Sequence, residues 1–558
     1  MSLERKRWLA ALLVVALLAL VTYLSSDVVF QTNDDNAIVS AASGGVTGAP
    51  YAGNGFTSYL YGLLLSGLYR LSGGVPWHAL LLSAAQLASL VCVLRSLLFV
   101  CDQRKRSPLW ALLVFAGLYV GLALKFMTRL QFTATPGYCA AALAALLWTL
   151  PEGRRARTLC CLAGAMLMAF GLLLRLKGGL LSLPVPVLAG LAVWMKRDGT
   201  RRAAAIACAG LLALTAVTWV ADGALYRANE PGWQEQAAFD EASAVLLDYN
   251  NNDATYELAL QETDWTPELI ACVRRWSLFF DARFNTENLS AIARRLEESA
   301  SHPTLYELFY KTGSVFKRYA EFRYIALAFA LAGLWALVRL LRRRRLWDAL
   351  LLVALAGSAV LVVAYFYGWM NRFPDRVAFA YAWSAYCLAA LVILDALADE
   401  APLWAMRLGA LALALATVAT FAVRPGDALV LPSSGREARA RLTTEVNAYA
   451  AAQPDVLFVT DITQSFYAFS TERPSVNLLE WGSAMMRSPM YCRKFEALGY
   501  ANGFACENLA DDSVRLLFAD PASLERLMAC LGTDGVPWQA VEEASEGMFT
   551  VYRLEAKS

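Results

Sequence analysis

Histidine is almost missing: His78 and His302 are the only two in 558 residues. Chemistry built on an imidazole base therefore has little supply, and an acyltransferase, which normally wants one, finds no persuasive motif around either. His302, just before Pro303, reads as a surface residue. Charge is scarce as well, at 17% of residues against about 25% in soluble domains. With 58% hydrophobic residues and a mean hydropathy of +0.44, this balance describes a polytopic membrane protein. A net charge of +2 says little about partners. The arginines and lysines come in short runs between apolar stretches, which is a topology signal and not a nucleic-acid footprint. The eleven cysteines lack metal-ligand spacing. Cys160 and Cys161 sit in apolar sequence and read as core residues. Cys492 and Cys506 flank "RKFEALGYANGFA" and are candidates for a disulfide. No internal repeat is visible, which weighs against a transporter built from repeats.

What the chain does have is long apolar runs. A span needs about 20 apolar residues to cross roughly 30 Å of hydrocarbon, and eleven segments qualify: 8–25, 76–100, 108–127, 136–150, 158–175, 179–195, 203–221, 324–341, 347–367, 377–397 and 403–422. The first follows "MSLERKR" without a small-residue cleavage site, so it reads as a retained signal anchor. The piece at 56–71, "FTSYLYGLLLSGLYRL", is short and interrupted by Gly62 and Gly67. If it does not cross, the basic runs at 5–7, 102–106, 153–157, 196–202 and 339–345 all face the cytoplasm; if it crosses, every basic loop after the first lies outside. The positive-inside rule favours the first option and makes 56–71 an interfacial helix.

The expected fold is thus a polytopic α-helical membrane protein of about eleven transmembrane helices with a cytoplasmic N-terminus. It divides into an N-terminal transmembrane module (1–221), an extracytoplasmic helical insertion (222–323), C-terminal transmembrane helices (324–422) and an extracytoplasmic α/β domain (423–558). In the last of these, "REARARLTTEVNAYAAAQ" reads as a helix and "DVLFVTD" as a buried strand. "VRLLFAD", "PASLERLMACLG", "WQAVEEAS" and "MFTVYRLE" continue the alternation. That domain lacks a Gly-rich phosphate loop, a GxSxG motif and histidine, so recognition or packing suits it better than catalysis.

Charged groups gather at the outward ends of the spans. Asp34 and Asp35 stand in "TNDDNAIVSAAS", and Arg129, Arg175, Lys177, Arg372 and Arg376 stand at three other helix ends. A single arginine at such an end is an ordinary anchor, because its charge snorkels to water. Five on the side where positive residues should be rare call for more, given a cost of about 2.5–3.5 kcal/mol for an ion at mid-span. Carboxylates facing such a cluster suit transfer of a group from a lipid phosphate to a hydroxyl. A carboxylate takes the proton of the acceptor, and guanidinium forks meet the charge growing on the phosphate. Asn33, Tyr51, Gln131, Tyr367 and Trp369 lie close by in sequence and could line a sugar site; Phe56 adds to the aromatic supply. The competing role for this stretch is capping, with Asn33 or Asp34 closing the helix "NAIVSAAS".

A signal anchor, an outward acidic pair, an interfacial helix and many further spans resemble the GT-C class of membrane glycosyltransferases. The resemblance rests on "TNDDNA" and, more loosely, on "NRFPDRV". It implies a polyprenyl-phosphate sugar as donor, a glycan, lipid or protein of the envelope as acceptor, and inversion at the anomeric carbon. It makes an acid of the first outer loop the base, Asp34 here with Asp35 as the second candidate. It places the arginines at 372–376 on the donor phosphate. The acidic signature of metal-dependent members is incomplete, so no cofactor is implied. The chain as a whole is similar to bacterial multispanning envelope proteins. Rival readings are a lipid or polysaccharide flippase and a non-enzymatic envelope scaffold.

Overall fold

The computed structural model describes residues 3–556 except 197–198, 278–279, 300–303, 319, 371, 399–402, 424–428, 464–465, 483, 501–502 and 535; His302 lies outside the described residues. Among the described residues, nine helices are long and apolar enough to cross a membrane: Leu3–Ser25, Trp77–Gln103, Leu109–Thr128, Arg154–Leu174, Leu176–Met195, Arg201–Asn229, Tyr324–Arg342, Leu346–Trp369 and Asp375–Ala398. Two shorter apolar helices, Thr135–Trp148 and Arg407–Ala419, occupy the places of the remaining two expected spans. Thr135–Trp148 is apolar on every side because it sits inside the bundle, buried from Thr135 to Leu147. It lies tightly against the Asp375–Ala398 helix: a Cβ on Gly137 would stand 2.3 Å from the Ala380 carbonyl oxygen.

The two ends of the bundle differ in chemistry. At one end the basic runs meet a set of carboxylates. Arg7 pairs with Asp102 at 2.6 Å, Arg104 with Asp395 at 2.7 Å, Lys196 with Asp348 at 2.8 Å and Arg345 with Asp348 at 2.6 Å. Arg95 adds a bond to Glu4 at 2.8 Å. Arg7, Arg104, Lys196 and Arg345, from four of the five basic runs expected on one side, thus lie at one end, and Arg157 of the fifth donates to the Gly199 carbonyl at 3.1 Å. Asp375–Ala398 runs from this end to the other, where Asp375 pairs with Lys125 at 2.9 Å. Its 24 residues span about 36 Å, enough to cross.

The helix Tyr59–Leu71 does not cross. Its 13 residues reach only about 20 Å, and both of its ends are at the Asp375 end of the bundle. Ser58 N–H donates to the Leu173 carbonyl at 3.1 Å, and the Arg473 guanidinium donates to the Gly73 carbonyl. Ser58 caps it by accepting from Tyr61 N–H. Leu60, Leu63, Leu64 and Leu71 remain exposed on its outer face, as expected of an amphipathic helix in a headgroup layer.

The α/β domain is built on a five-stranded sheet in the order Leu478–Glu480, Leu457–Thr460, Val514–Phe518, Thr550–Ala556, Trp538–Ser545. The first three strands are parallel and the last two antiparallel, with an irregularity between Glu542 and Ala544. Successive side chains of a strand point to opposite faces, and Leu457–Thr460 is buried throughout because both faces are covered. Phe458 packs with Val446 and Ala450 of the Ser434–Ala451 helix. Leu457 and Val459 face the other way and share a core with Phe239, Trp265, Leu269 and Phe284 of the helical insertion. Insertion and sheet therefore close over one common core. The strands expected at 455–461, 514–520, 538–545 and 548–555 are present; the three-residue strand Leu478–Glu480 is an addition. Cys492 and Cys506, the candidates for a disulfide, are both free thiols in this structure. Phe495 and Phe504 between them stack at 5.7 Å in the core, Cys492 is exposed, and Cys506 Sγ lies 3.8 Å from Asp281 Oδ2.

Candidate functional site

The acidic pair is positioned by a short parallel pairing. Val29–Phe30 lies beside Arg129–Leu130, and Gln31 N–H extends the ladder to the Leu130 carbonyl at 3.0 Å. Thr32 continues this extended course, with φ −130° and ψ 157°, and becomes the N-cap of the helix Asn33–Ser43. The cap expected at Asn33 or Asp34 thus falls one or two residues earlier, because the chain is still tied to Leu130 at Gln31. Asp34 and Asp35 are left in the first turn, neighbours in sequence but about 100° apart around the axis.

Asp35 points inward and is fully buried. Its Oδ1 faces His78 Nε2 at 3.1 Å and accepts from Phe132 N–H at 3.1 Å. His78, also fully buried, meets the Tyr61 hydroxyl through Nδ1 at 2.8 Å. A neutral imidazole satisfies both contacts, donating at Nε2 to the carboxylate and accepting the tyrosine proton at Nδ1. Burial raises the Tyr61 pKa well above 10, so the hydroxyl keeps its proton. Burial also raises the Asp35 pKa, opposed by the His78 contact and the Phe132 N–H. This chain of contacts fastens the start of the Asn33–Ser43 helix to the interfacial helix and to the first turn of Trp77–Gln103.

Asp34 faces a different company. Burial raises its pKa, the charges of Arg376, Arg175 and Arg372 pull it back, and Asp248 pushes it up again. These groups come from four places: the start of Asp375–Ala398, the end of Arg154–Leu174, the turn before residue 375 and the insertion. The Arg175 guanidinium lies over the Phe132 ring at 5.1 Å and donates to the Phe56 carbonyl. Burial lowers its pKa, and Asp34 is the leading charge that sustains it. Arg372 forms an ion pair with Asp248 and stands over the Tyr249 ring at 5.6 Å. Asp375 fixes the spacing, because its two carboxylate oxygens accept from Gln31 Nε2, each at 3.0 Å. One side chain thereby ties the residue before Thr32 to the helix that carries Arg376. A carboxylate with a raised pKa beside held guanidiniums can take a proton while the cations receive an anion.

The other expected residues are spread around this centre. Arg129 is half-buried on its two-residue strand, in register with Val29. Lys177 is exposed and acts on Asp240 of the insertion, whose pKa burial raises to about 6. Asn33 is exposed. Gln131 is buried, and its Oε1 accepts from Ala134 N–H at 3.0 Å and from Thr133 N–H, closing the turn before Thr135–Trp148. Tyr51 donates to Glu230, and its ring lies under Arg493 at 4.9 Å. It serves the contact between the first outer loop and the C-terminal domain. The Tyr367 hydroxyl accepts from Ser314 Oγ at 3.3 Å, and Trp369 is 48% exposed. Among the described residues, no three His, Cys, Asp or Glu side chains converge as a metal site would require.

Sequence reasoning missed His78, Tyr61, Asp248 and Asp375. For His78 a signal existed: it is a lone imidazole in the first turn after Pro76, at the mouth of an apolar helix. For Asp248, inside a polar stretch with many acids, there was none.

No protein-family model matches the chain, and no curated protein matches it. Two crystal structures of ArnT from Cupriavidus metallidurans, one in the apo state and one bound to undecaprenyl phosphate, are similar to it at 12% identity, covering 98% of this chain and 97% of theirs, with TM-scores of 0.39 and 0.36. A likeness at those scores carries no functional argument. Fold and site together define a polytopic helical membrane protein with a carboxylate–guanidinium centre at one end of its bundle, beneath a soluble α/β domain.

Proposed function

We propose that the protein transfers a sugar, hexosyl or pentosyl, from a polyprenyl-phosphate donor to a hydroxyl of an envelope glycan, lipid or protein. The reaction takes place at the outer face of the cell membrane. The observation that carries this reading is the gathering of Arg175, Arg372 and Arg376 around Asp34 from separate parts of the chain. The acceptor oxygen attacks the anomeric carbon from the side opposite the phosphate, and its proton passes to Asp34. The bond from the anomeric carbon to the phosphate oxygen breaks with its electron pair, leaving polyprenyl phosphate. The added negative charge meets Arg376, Arg175 and Arg372, all three half-buried. In a partly dry site such cations stabilise the developing charge far better than water-exposed ones do. Asp35 supports the base without replacing it, since its carboxylate is already engaged by His78 and Phe132.

The test is purified protein in liposomes with a panel of labelled polyprenyl-phosphate sugars and a bacterial envelope extract as acceptor. Release of polyprenyl phosphate coupled to acceptor labelling is expected, and Arg376→Ala should raise the KM for donor about 10- to 100-fold while leaving the acceptor KM unchanged. Movement of intact donor across the bilayer without cleavage would instead establish a flippase and overturn the reading.

A further inference from the structure

Four cysteines lie outside the spans, in the insertion and the α/β domain: Cys272, Cys492, Cys506 and Cys530. Two of these are neighbours. Cys272 is on the helix Pro267–Val273 of the insertion, and Cys530 is on the helix Pro521–Leu531 that flanks the sheet. They are 0% and 1% exposed, in the core that both parts share. Cys272 Sγ lies 3.9 Å from the carbonyl oxygen of Arg526, the residue one turn before Cys530. Both are free thiols in this structure, and the two helices that carry them pack side by side, so that each thiol is a neighbour of the other. Arg283 Nη2 stands 3.6 Å from Cys530 Sγ and 2.7 Å from Asp281 Oδ2, so an ion pair lies beside the two thiols.

We propose that Cys272 and Cys530 are joined by a disulfide in the mature protein, strapping the helical insertion to the C-terminal sheet. This rests on the reading that both parts face the outer, oxidising compartment. The strap has a bearing on the site, because the insertion it holds also supplies Asp248, the ion-pair partner of Arg372. The co-reactant is the disulfide of a thiol–disulfide exchange catalyst. One thiol loses its proton and attacks a sulfur of that disulfide, giving a mixed disulfide. The second loses its proton and displaces the catalyst. One S–S bond forms and one breaks; two electrons pass to the catalyst, which leaves as a dithiol. Because both sulfurs end fully buried, the exchange precedes closure of the core.

The experiment uses the full chain, isolated from cells lysed in N-ethylmaleimide without reductant, then denatured, digested and examined by mass spectrometry. A peptide pair linking Cys272 to Cys530 is expected, together with two additional thiols after reduction. Reductant should also lower the thermal midpoint of the wild-type protein by several degrees and leave that of the C272A/C530A double variant unmoved. Recovery of Cys272 and Cys530 both alkylated by N-ethylmaleimide would overturn the proposal. Exposed Cys492 separates the two ways of failing. If it reacts with a membrane-impermeant maleimide in intact spheroplasts while Cys272 and Cys530 are thiols, the sidedness stands and the strap is wrong. If it reacts only after permeabilisation, the outward orientation fails and the strap falls with it.

Discussion

Asp34 and Asp35 are adjacent in the chain but should respond to mutation in opposite ways. Asp35 is fully buried and accepts from two donors at 3.1 Å. Asp35→Ala leaves the His78 and Phe132 N–H groups buried without an acceptor, at about 1–3 kcal/mol each. The expected loss is therefore about 2–6 kcal/mol, a large part of the total for a protein with ~5–15 kcal/mol to lose. Asp34 has no such bond among the described residues and faces the arginines. Asp34→Asn should leave stability nearly unchanged and remove the base, slowing single-turnover transfer by about 10²–10⁴, or ~3–5 kcal/mol on the barrier. The assay pairs a thermal melt in lipid nanodiscs, followed by size-exclusion chromatography, with turnover normalised to folded protein. Expected are a low melting point with substantial residual turnover per folded molecule for Asp35→Ala, and the reverse for Asp34→Asn. Should Asp34→Asn turn over normally while folded Asp35→Ala is inert, the roles given to the two carboxylates are wrong.

The same geometry sets three further outcomes. Because Asp248 raises the pKa of Asp34, Asp248→Asn should move the acid limb of the kcat profile to lower pH; a limb that stays put or moves up would detach Asp248 from the site. Asp240 has a folded pKa raised from 3.8 to about 6, so the native state holds more protons than the unfolded chain between those values and stability falls as pH rises through them. Asp240→Asn should remove that fall, worth at most about 3 kcal/mol and less after screening at this half-buried position, as read from melts at pH 4.5 and 7.5. Gly137→Val should separate Thr135–Trp148 from Asp375–Ala398, since even a Cβ would stand 2.3 Å from a carbonyl oxygen. Lower expression and a shifted donor KM are expected, and normal values for both would mean that the helix carrying Arg376 is not held by this contact.

The parts of the molecule set by local physics were legible from the chain alone. Apolar runs of span length, punctuated by Arg- and Lys-rich loops, placed the helices. The basic loops do meet at one end, on Asp102, Asp348 and Asp395. Alternation and buried runs located four of the five sheet strands, whereas Leu478–Glu480 is too short to show a period. At the candidate site, Asp34, Arg175, Arg372 and Arg376 were marked as charges clustered at the span ends of the side where positive residues should be rare. Which of them would touch was not legible. The cap moved to Thr32 because of a strand pairing with residues 129–130, a contact that no local pattern announces. His78 was passed over because scarcity was weighed and location was not. The cysteines were paired by proximity in sequence, while the fold brings Cys272 to Cys530 across a core built from two segments.

The two bundle ends also differ in how their cations are matched. At the end defined by Asp348 and Asp395, each of Arg7, Arg95, Arg104, Arg345 and Lys196 lies within 3 Å of a carboxylate. These are satisfied ion pairs that tie loops together. At the other end, Lys125 and Arg372 are matched in the same way, by Asp375 and Asp248. Among the described residues, Arg175 and Arg376 have no carboxylate at that range and act on Asp34 only through space. Arg175 is half-buried against an aromatic ring and a backbone carbonyl. Desolvating a cation without a close counter-ion is costly, and a fold that merely needed an anchor would place it where it could reach water. Two such cations beside one carboxylate leave the cluster short of negative charge, and under the proposed function the donor phosphate is the anion that supplies it.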